Sequence, residues 1–215
     1  MDYVNQIVWA DCLDILPKMA SDSVKLAICD PPYNNNMLYH SYIDKRDDYF
    51  EWCSQWFKEV RRIAQRVIVT PGHGNLWMWK DIEKPWGVGC WFKPGNPASS
   101  VLGWTCWEPW LYYCKDYKAL GGPDTIRAPV RKQTDTGEHP CPKPPQLYEG
   151  FILKTTKEGE IVLDPFCGAG TAPVIAKKLK RKWIGIDVDP TYVKRTKIRL
   201  KNLDFVEKDL FEDIV

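Results

Sequence analysis

The sequence predicts an α/β fold, a mostly parallel sheet with helices on both faces. Three observations carry that expectation. From residue 146 onward, strand-like and helix-like segments alternate without interruption. Four apolar runs each end at an aspartate: Asp11, Asp30, Asp164 and Asp187. The 215 residues, 44% hydrophobic and 27% charged, suit one compact soluble domain with one core. Strands that alternate with helices are forced into a parallel sheet whose two faces the helices must cover. Ligands bind such sheets beyond the carboxyl ends of the strands, so four strand-end carboxylates would gather along one ligand rim.

The elements follow in chain order. Ile7 to Ala10 reads as a short strand ending at Asp11, and Asp14 to Met19 as a short helix or turn. Val24 to Cys29 reads as a strand stopped by Asp30-Pro31-Pro32-Tyr33, because two prolines cannot continue a central strand. The polar, aromatic stretch from Asn34 to Asp48 reads as a loop. Tyr49 to Ala64 carries apolar residues at helical spacing, and Val67 to Thr70 reads as a buried strand ended by Pro71-Gly72. Residues 85 to 145 are rich in Pro, Gly and Trp; strands are expected at Gly89 to Phe92 and Trp110 to Cys114, joined by long loops. Then come a helix at Gln146 to Thr155, a strand at Ile161 to Leu163 and a turn at Pro165 to Gly170. A helix at Thr171 to Leu179, a strand at Trp183 to Ile186 and a helix at Pro190 to Leu200 complete the chain.

Two motifs point to chemistry. Asp164-Pro165-Phe166-Cys167-Gly168-Ala169-Gly170-Thr171 follows a strand and opens a helix, and its glycines permit a tight turn with close backbone approach to a ligand. It lacks the third glycine of a dinucleotide fingerprint and the Gly-Lys-Ser/Thr ending of a phosphate loop. The next strand ends at Asp187, placed to accept hydrogen bonds from both hydroxyls of a ribose. Together these read as a site for an adenosine-type cofactor without a pyrophosphate; a plain glycine turn with a capping Asp is the structural alternative.

Asp30-Pro31-Pro32-Tyr33 is the sharper signal. The amino group of a nucleobase is a poor nucleophile, because its lone pair is delocalised into the ring. A carboxylate and a backbone carbonyl in a rigid turn can accept its two N–H hydrogens and favour a pyramidal nitrogen. Tyr33 offers a face for a flipped-out base. Taken alone the tetrapeptide is an ordinary strand-ending turn; joined to the Gly168 loop it is not.

In this combination the sequence resembles the DNA amino-methyltransferases that act on adenine N6 or cytosine N4. The resemblance implies a Rossmann-like S-adenosylmethionine-dependent methyltransferase fold, with Asp30, Pro31, Pro32 and Tyr33 as the catalytic motif. It makes Asp164, Pro165, Phe166, Gly168, Gly170 and Thr171 the cofactor loop. The catalytic motif precedes the cofactor loop, which resembles the circularly permuted beta class of that family. His139-Pro140-Cys141-Pro142-Lys143-Pro144 resembles the family's His-Pro-x-x-Lys-Pro segment, which implies that His139, Pro140 and Lys143 lie beside the methionine end of the cofactor. Asp11-Cys12 resembles the acidic position near the cofactor's adenine. One methyltransferase domain over 1–215 is expected, with a small target-recognition insert at about 93–138. The stretch between Tyr113 and His139 is short for a target-recognition region of the family, which points away from elaborate sequence specificity. The expected reaction is methylation of DNA adenine N6, since the catalytic motif starts with Asp; cytosine N4 of DNA, or of RNA such as ribosomal RNA, is the alternative. The resemblance further implies base flipping and a setting in restriction-modification.

Composition adds limits. The net charge of +2 argues neither for nor against a nucleic-acid partner, so local clusters must. Arg127, Arg131 and Lys132, near the Trp-rich stretch from Trp104 to Trp110, are the candidates for nucleic-acid contacts. The run from Lys177 to Lys182 reads as a solvated face. Eleven Trp fit base stacking but equally fit a core. Eight cysteines without a Cys-x-x-Cys pair, and three histidines, complete no zinc pattern, so no metal is expected and the thiols read as buried and reduced. Pro140-Cys141 evokes the covalent nucleophile of cytosine-C5 chemistry, but that reading leaves Asp30-Pro31-Pro32-Tyr33 unexplained, so Cys141 is expected to be structural. Without a signal peptide or an apolar span, a cytoplasmic monomer or homodimer is expected.

Overall fold

A computed structural model describes residues 2–95, 98–100, 103–116, 121–130 and 143–212, with side chains up to residue 203. The strands are β1 (Gln6–Trp9), β2 (Val24–Cys29), β3 (Ala64–Val69), β4 (Gly87–Phe92), β5 (Ala98–Ser100), β6 (Gly103–Thr105), β7 (Trp107–Cys114), β8 (Thr125–Arg127), β9 (Ile161–Asp164) and β10 (Lys182–Asp187). The helices are α1 (Cys12–Ile15), α2 (Tyr49–Ile63), α3 (Gly72–Ile82), α4 (Pro145–Thr155), α5 (Thr171–Lys178) and α6 (Pro190–Glu212). Eight strands form one sheet in the order β1-β10-β9-β2-β3-β7-β4-β8. β1, β10, β9, β2 and β3 pair in parallel. β7 is antiparallel to both β3 and β4, and β8 is parallel to β4, so β7 alone runs against the rest. The sheet is thus the mostly parallel one expected, with an α/β build and helices on both faces.

Both faces are covered because the central strands are apolar on both. In β2, Ala27 and Cys29 pack into the layer of α1, α2 and α3, while Leu26 and Ile28 pack into the layer of α4 and α5. Such continuous apolar runs are what a doubly covered parallel strand needs. In the first layer Trp56, Phe57, Trp79 and Tyr113 interlock edge to face with centroids 4.8–6.0 Å apart, so several of the tryptophans serve the core.

Several elements differ from the sequence reading. α3 follows Pro71 in a stretch with two glycines and an uneven apolar pattern, so no helical period announces it. β7 starts at Trp107, three residues before the expected strand, and carries Pro109. Within 93–138, β7 and β8 belong to the main sheet; the β5–β6 hairpin stands apart from it. α6 continues well past Leu200.

Gly170 shows how tightly the second half is built. It caps α5 in the left-handed region, with φ +76°, and a Cβ there would meet the Thr196 side chain of α6 at 2.3 Å. Gly170→Ala should therefore cost about 2 kcal/mol, a fall in melting temperature of some 4–8 °C by calorimetry. An unchanged melting temperature would refute this account of the contact.

Candidate active site

Asp11, Asp30, Asp164 and Asp187 close or follow β1, β2, β9 and β10, four parallel neighbours, and so share one rim. A cavity of about 400 Å3 opens there, within the range of small-ligand pockets. Asp11, Asp30 and Asp187 line it. Asp164 does not: it is only 2% exposed, and its Oδ1 accepts the Phe166 N–H at 3.1 Å, fixing the turn. Burial pushes the Asp164 carboxyl well above the usual range, and the charges of Asp30 and Asp187 push the same way.

Pro165, Phe166, Gly168 and Thr171 line one wall, while Gly170 lies behind it, packed on α6. Phe166 is held by Trp56 (4.9 Å) and Trp52 (5.6 Å), so the loop is anchored in the aromatic core. Asp187 takes the Gly168 N–H on Oδ2 at 2.7 Å and the Asp189 N–H on Oδ1 at 2.8 Å. Burial raises its pKa to about 6, partly offset by those two N–H groups. Each of its oxygens keeps lone-pair capacity for a ligand hydroxyl. Asp11 caps α1 by accepting the Leu13 N–H at 2.9 Å, and the buried Cys12 lies beside it in the same wall.

On the other side sits Asp30. Its Oδ1 accepts from the Tyr33 hydroxyl (2.9 Å), the Thr70 hydroxyl (2.5 Å) and the Lys143 ammonium (2.9 Å); its Oδ2 accepts from Lys143 at 3.0 Å. Lys143 also donates to the Tyr33 hydroxyl at 2.9 Å. Only 8% of Lys143 is exposed. Burial pulls its ammonium toward neutrality, but the Asp30 carboxylate outweighs that and raises its pKa, so the ion pair stands. Burial and Asp30 raise the Tyr33 phenol, which therefore keeps its proton to donate. Pro31, Pro32 and Tyr33 all line the cavity. The Pro32 carbonyl accepts the Tyr49 hydroxyl at 2.8 Å, and the Pro31 carbonyl takes no hydrogen bond from the described residues.

The segment from Asn34 to Asp48 is an ordered strap along the cavity. The buried Asp44 accepts the Met37 N–H (2.6 Å) and the Asn35 N–H (3.2 Å), and Tyr39 stacks on Tyr42 at 5.0 Å. Its tip docks on the far wall: Ser41 donates to Asp189 Oδ2 at 2.7 Å and His40 lies 3.3 Å from the same oxygen.

The structure thus brings together Asp11, Cys12, Asp30, Pro31, Pro32, Tyr33, Lys143, Pro165, Phe166, Gly168, Thr171 and Asp187. Arg127 is exposed at the carboxyl end of β8, on the outermost strand and away from the cavity lining. His139, Pro140, Arg131, Lys132 and Cys141 lie outside the described residues. Sequence reasoning missed Thr70, read only as the end of a strand, and the strap residues that wall the cavity. The proximity of Thr70 to Asp30 could have been found from strand pairing, since both follow adjacent parallel strands. Among the described residues no helix is long and apolar enough to cross a membrane, and no His, Cys, Asp and Glu side chains cluster as metal ligands would.

Known proteins resemble this chain in sequence and in fold. The type II methyltransferase M2.DpnII of Streptococcus pneumoniae is 28% identical over 91% of this chain and 89% of its own length. M2.LlaDCHI of Lactococcus lactis subsp. cremoris is 28% identical over 90% and 88%. Among solved structures, the cytosine-N4-specific PvuII DNA methyltransferase superposes with TM-score 0.70 at 19% identity, over 90% of this chain and 85% of that one. The M1.HpyAVI complex with SAM superposes with TM-score 0.68 at 23% identity, over 91% and 98%. These structural likenesses establish the fold. The family of N6/N4 methyltransferases described as DNA methylase matches residues 70–198, more than half of the sequence, and the chain belongs to that family.

Proposed function

We propose that this protein transfers a methyl group from S-adenosylmethionine to the exocyclic amino group of a base in DNA, with adenine N6 the target. The observation that carries the reading is one cavity with a ribose acceptor, Asp187, on one wall and the Asp30 turn on the other. The residues fit the cofactor chemically. Asp187 would hold the ribose hydroxyls, the Gly168 turn admits close approach, and Asp11 and Cys12 would flank the adenine. When bound, S-adenosylmethionine supplies an electrophilic methyl group on a sulfonium sulfur. The chain's part is positioning: Asp30 and a carbonyl of the proline turn accept the amine's N–H hydrogens, which favours a lone pair on nitrogen, and Tyr33 borders the base. These interactions strengthen as the nitrogen becomes pyramidal and positive, so they act on the transition state. The exposed Trp104 of β6 and Arg127 of β8 support a role for the 93–138 region in contacting the DNA. The likeness to the cytosine-N4-specific PvuII enzyme favours cytosine N4 as the second reading.

Nucleoside mass spectrometry of unmethylated DNA incubated with the protein and S-adenosylmethionine should show N6-methyldeoxyadenosine. N4-methyldeoxycytidine instead would select the second reading. C5-methyldeoxycytidine, or a covalent complex with 5-fluorocytosine DNA that Cys141→Ser abolishes, would overturn the mechanism.

Asp187→Ala should weaken cofactor binding by roughly 2 kcal/mol, about 30-fold by calorimetric titration. Ligand hydroxyls donate to the ionised carboxylate, so binding lowers the Asp187 pKa from about 6 and expels a proton. Affinity should then be full above that pH and fall as pH drops through 6, by up to about tenfold per unit. A flat affinity between pH 7 and 5 would remove Asp187 from the binding set.

Asp30→Asn keeps the shape of the turn and should lower the single-turnover methylation rate by roughly 100-fold or more, with cofactor affinity little changed. Near wild-type rates would rule out Asp30 as the acceptor. Asp30→Ala is the poorer test, because it removes the acceptor oxygen and the side-chain volume together with the charge, whereas Asn keeps one oxygen for the buried Lys143 ammonium.

A further inference from the structure

The two oxygens of Asp30 are not equivalent. Oδ1 takes three donors, from Tyr33, Thr70 and Lys143, which exhausts what a carboxylate oxygen can accept. Oδ2 takes one, from Lys143, and keeps a position for another. The three donors come from separate parts of the chain: the turn after β2, the residue that follows β3 and the second residue before α4. Thr70 is buried and set alongside Asp30 by the β2–β3 register, which pairs Cys29 with Val69. Lys143 is buried, spans both carboxylate oxygens and reaches the Tyr33 hydroxyl, so it braces the carboxylate against rotation. All three donors converge on the one carboxylate the proposed reaction uses.

We infer that Thr70 and Lys143 are positioning residues that lock Asp30 through Oδ1 and present Oδ2 as the oxygen that receives the target amine. The assignment rests on the amino-methylation reading and adds to it which atom accepts and what holds it. The Tyr33 hydroxyl belongs to the same clamp, so the ring face does not account for the whole of that side chain. The effect is preorganisation: an acceptor already aimed need not reorient as charge develops on the amine nitrogen.

The test uses Thr70→Val, Lys143→Met and Lys143→Arg in the full chain, with unmethylated DNA and labelled S-adenosylmethionine. Thr70→Val and Lys143→Met should each lower the single-turnover rate at saturating cofactor and DNA by roughly tenfold or more, with cofactor affinity within about threefold of wild type. Lys143→Arg, which keeps charge and donors, should recover part of the rate. Wild-type rates at saturation in Thr70→Val and Lys143→Met would overturn the assignment. So would a large loss of cofactor affinity in Lys143→Met that saturation repairs, since Lys143 would then serve the cofactor. If the wild-type protein methylates no DNA, the proposed function fails and the clamp is judged by stability alone. Thermal melting of Asp30→Asn, Lys143→Met, Thr70→Val and their pairwise combinations should then give strongly non-additive shifts. Additive shifts would refute the clamp, and Thr70→Val, nearly isosteric, keeps the cycle readable if Lys143→Met does not fold.

Discussion

Asp30 sits where three constraints meet. The parallel register of β2 and β3 puts it beside Thr70, the double proline turns the chain out of the sheet and returns Tyr33 toward it, and Lys143 reaches it just before α4 begins. Each approach is needed because the carboxylate is partly withdrawn from water and must be compensated by donors from the protein. A buried ammonium beside it has the same requirement. The pair therefore ties the first part of the chain to the segment that leads into its second, across 113 positions of sequence. The Asp30 wall of the cavity follows from this one local balance of charge.

The opposite wall is built by a different economy. Asp187 is spent first on the protein itself, fastening the Gly168 turn and the start of the next turn at Asp189. Asp189 in turn receives Ser41 from the strap, so the strap and the Gly168 loop are anchored within two residues of each other at the end of β10. Phe166, locked between Trp52 and Trp56, joins the loop to α2. The wall is rigid because its polar and aromatic fastenings share the same few residues.

Much of this was legible in the sequence, for physical reasons. Strand-end aspartates after apolar runs announced the rim, because a parallel sheet leaves only that end for polar ligands. β2 was read at its full extent because its apolar run is terminated by prolines. The second half was readable because strong periodicity and a glycine turn fix its boundaries. α3 escaped because its start carries glycines and its polar and apolar positions do not repeat cleanly. The contact of Thr70 with Asp30 was missed because it needs the β2–β3 pairing to be drawn, and that of Lys143 because it joins residues 113 positions apart that no strand pairing connects. Asp164 and Gly170 stand in the cofactor motif but do not line the cavity: Asp164 holds the turn through the Phe166 N–H, and Gly170 packs against Thr196. A motif records where residues stand along the chain and does not record which of their atoms face inward.

The lone reversed strand, β7, decides where the chain can grow. β4 ends at Phe92 on the ligand rim, and β7, running the other way, begins at Trp107 on that same rim; β8 ends there too, at Arg127. The link from β4 to β7 and the chain leaving β8 both depart from the ligand side, while the link from β7 to β8 is sent to the far side. Insertions in the first two would change the surface around the cavity mouth without disturbing a strand pairing of the main sheet. One strand turned end for end gives the scaffold two separate places in which the chain can lengthen beside the cavity while the cavity floor stays the same.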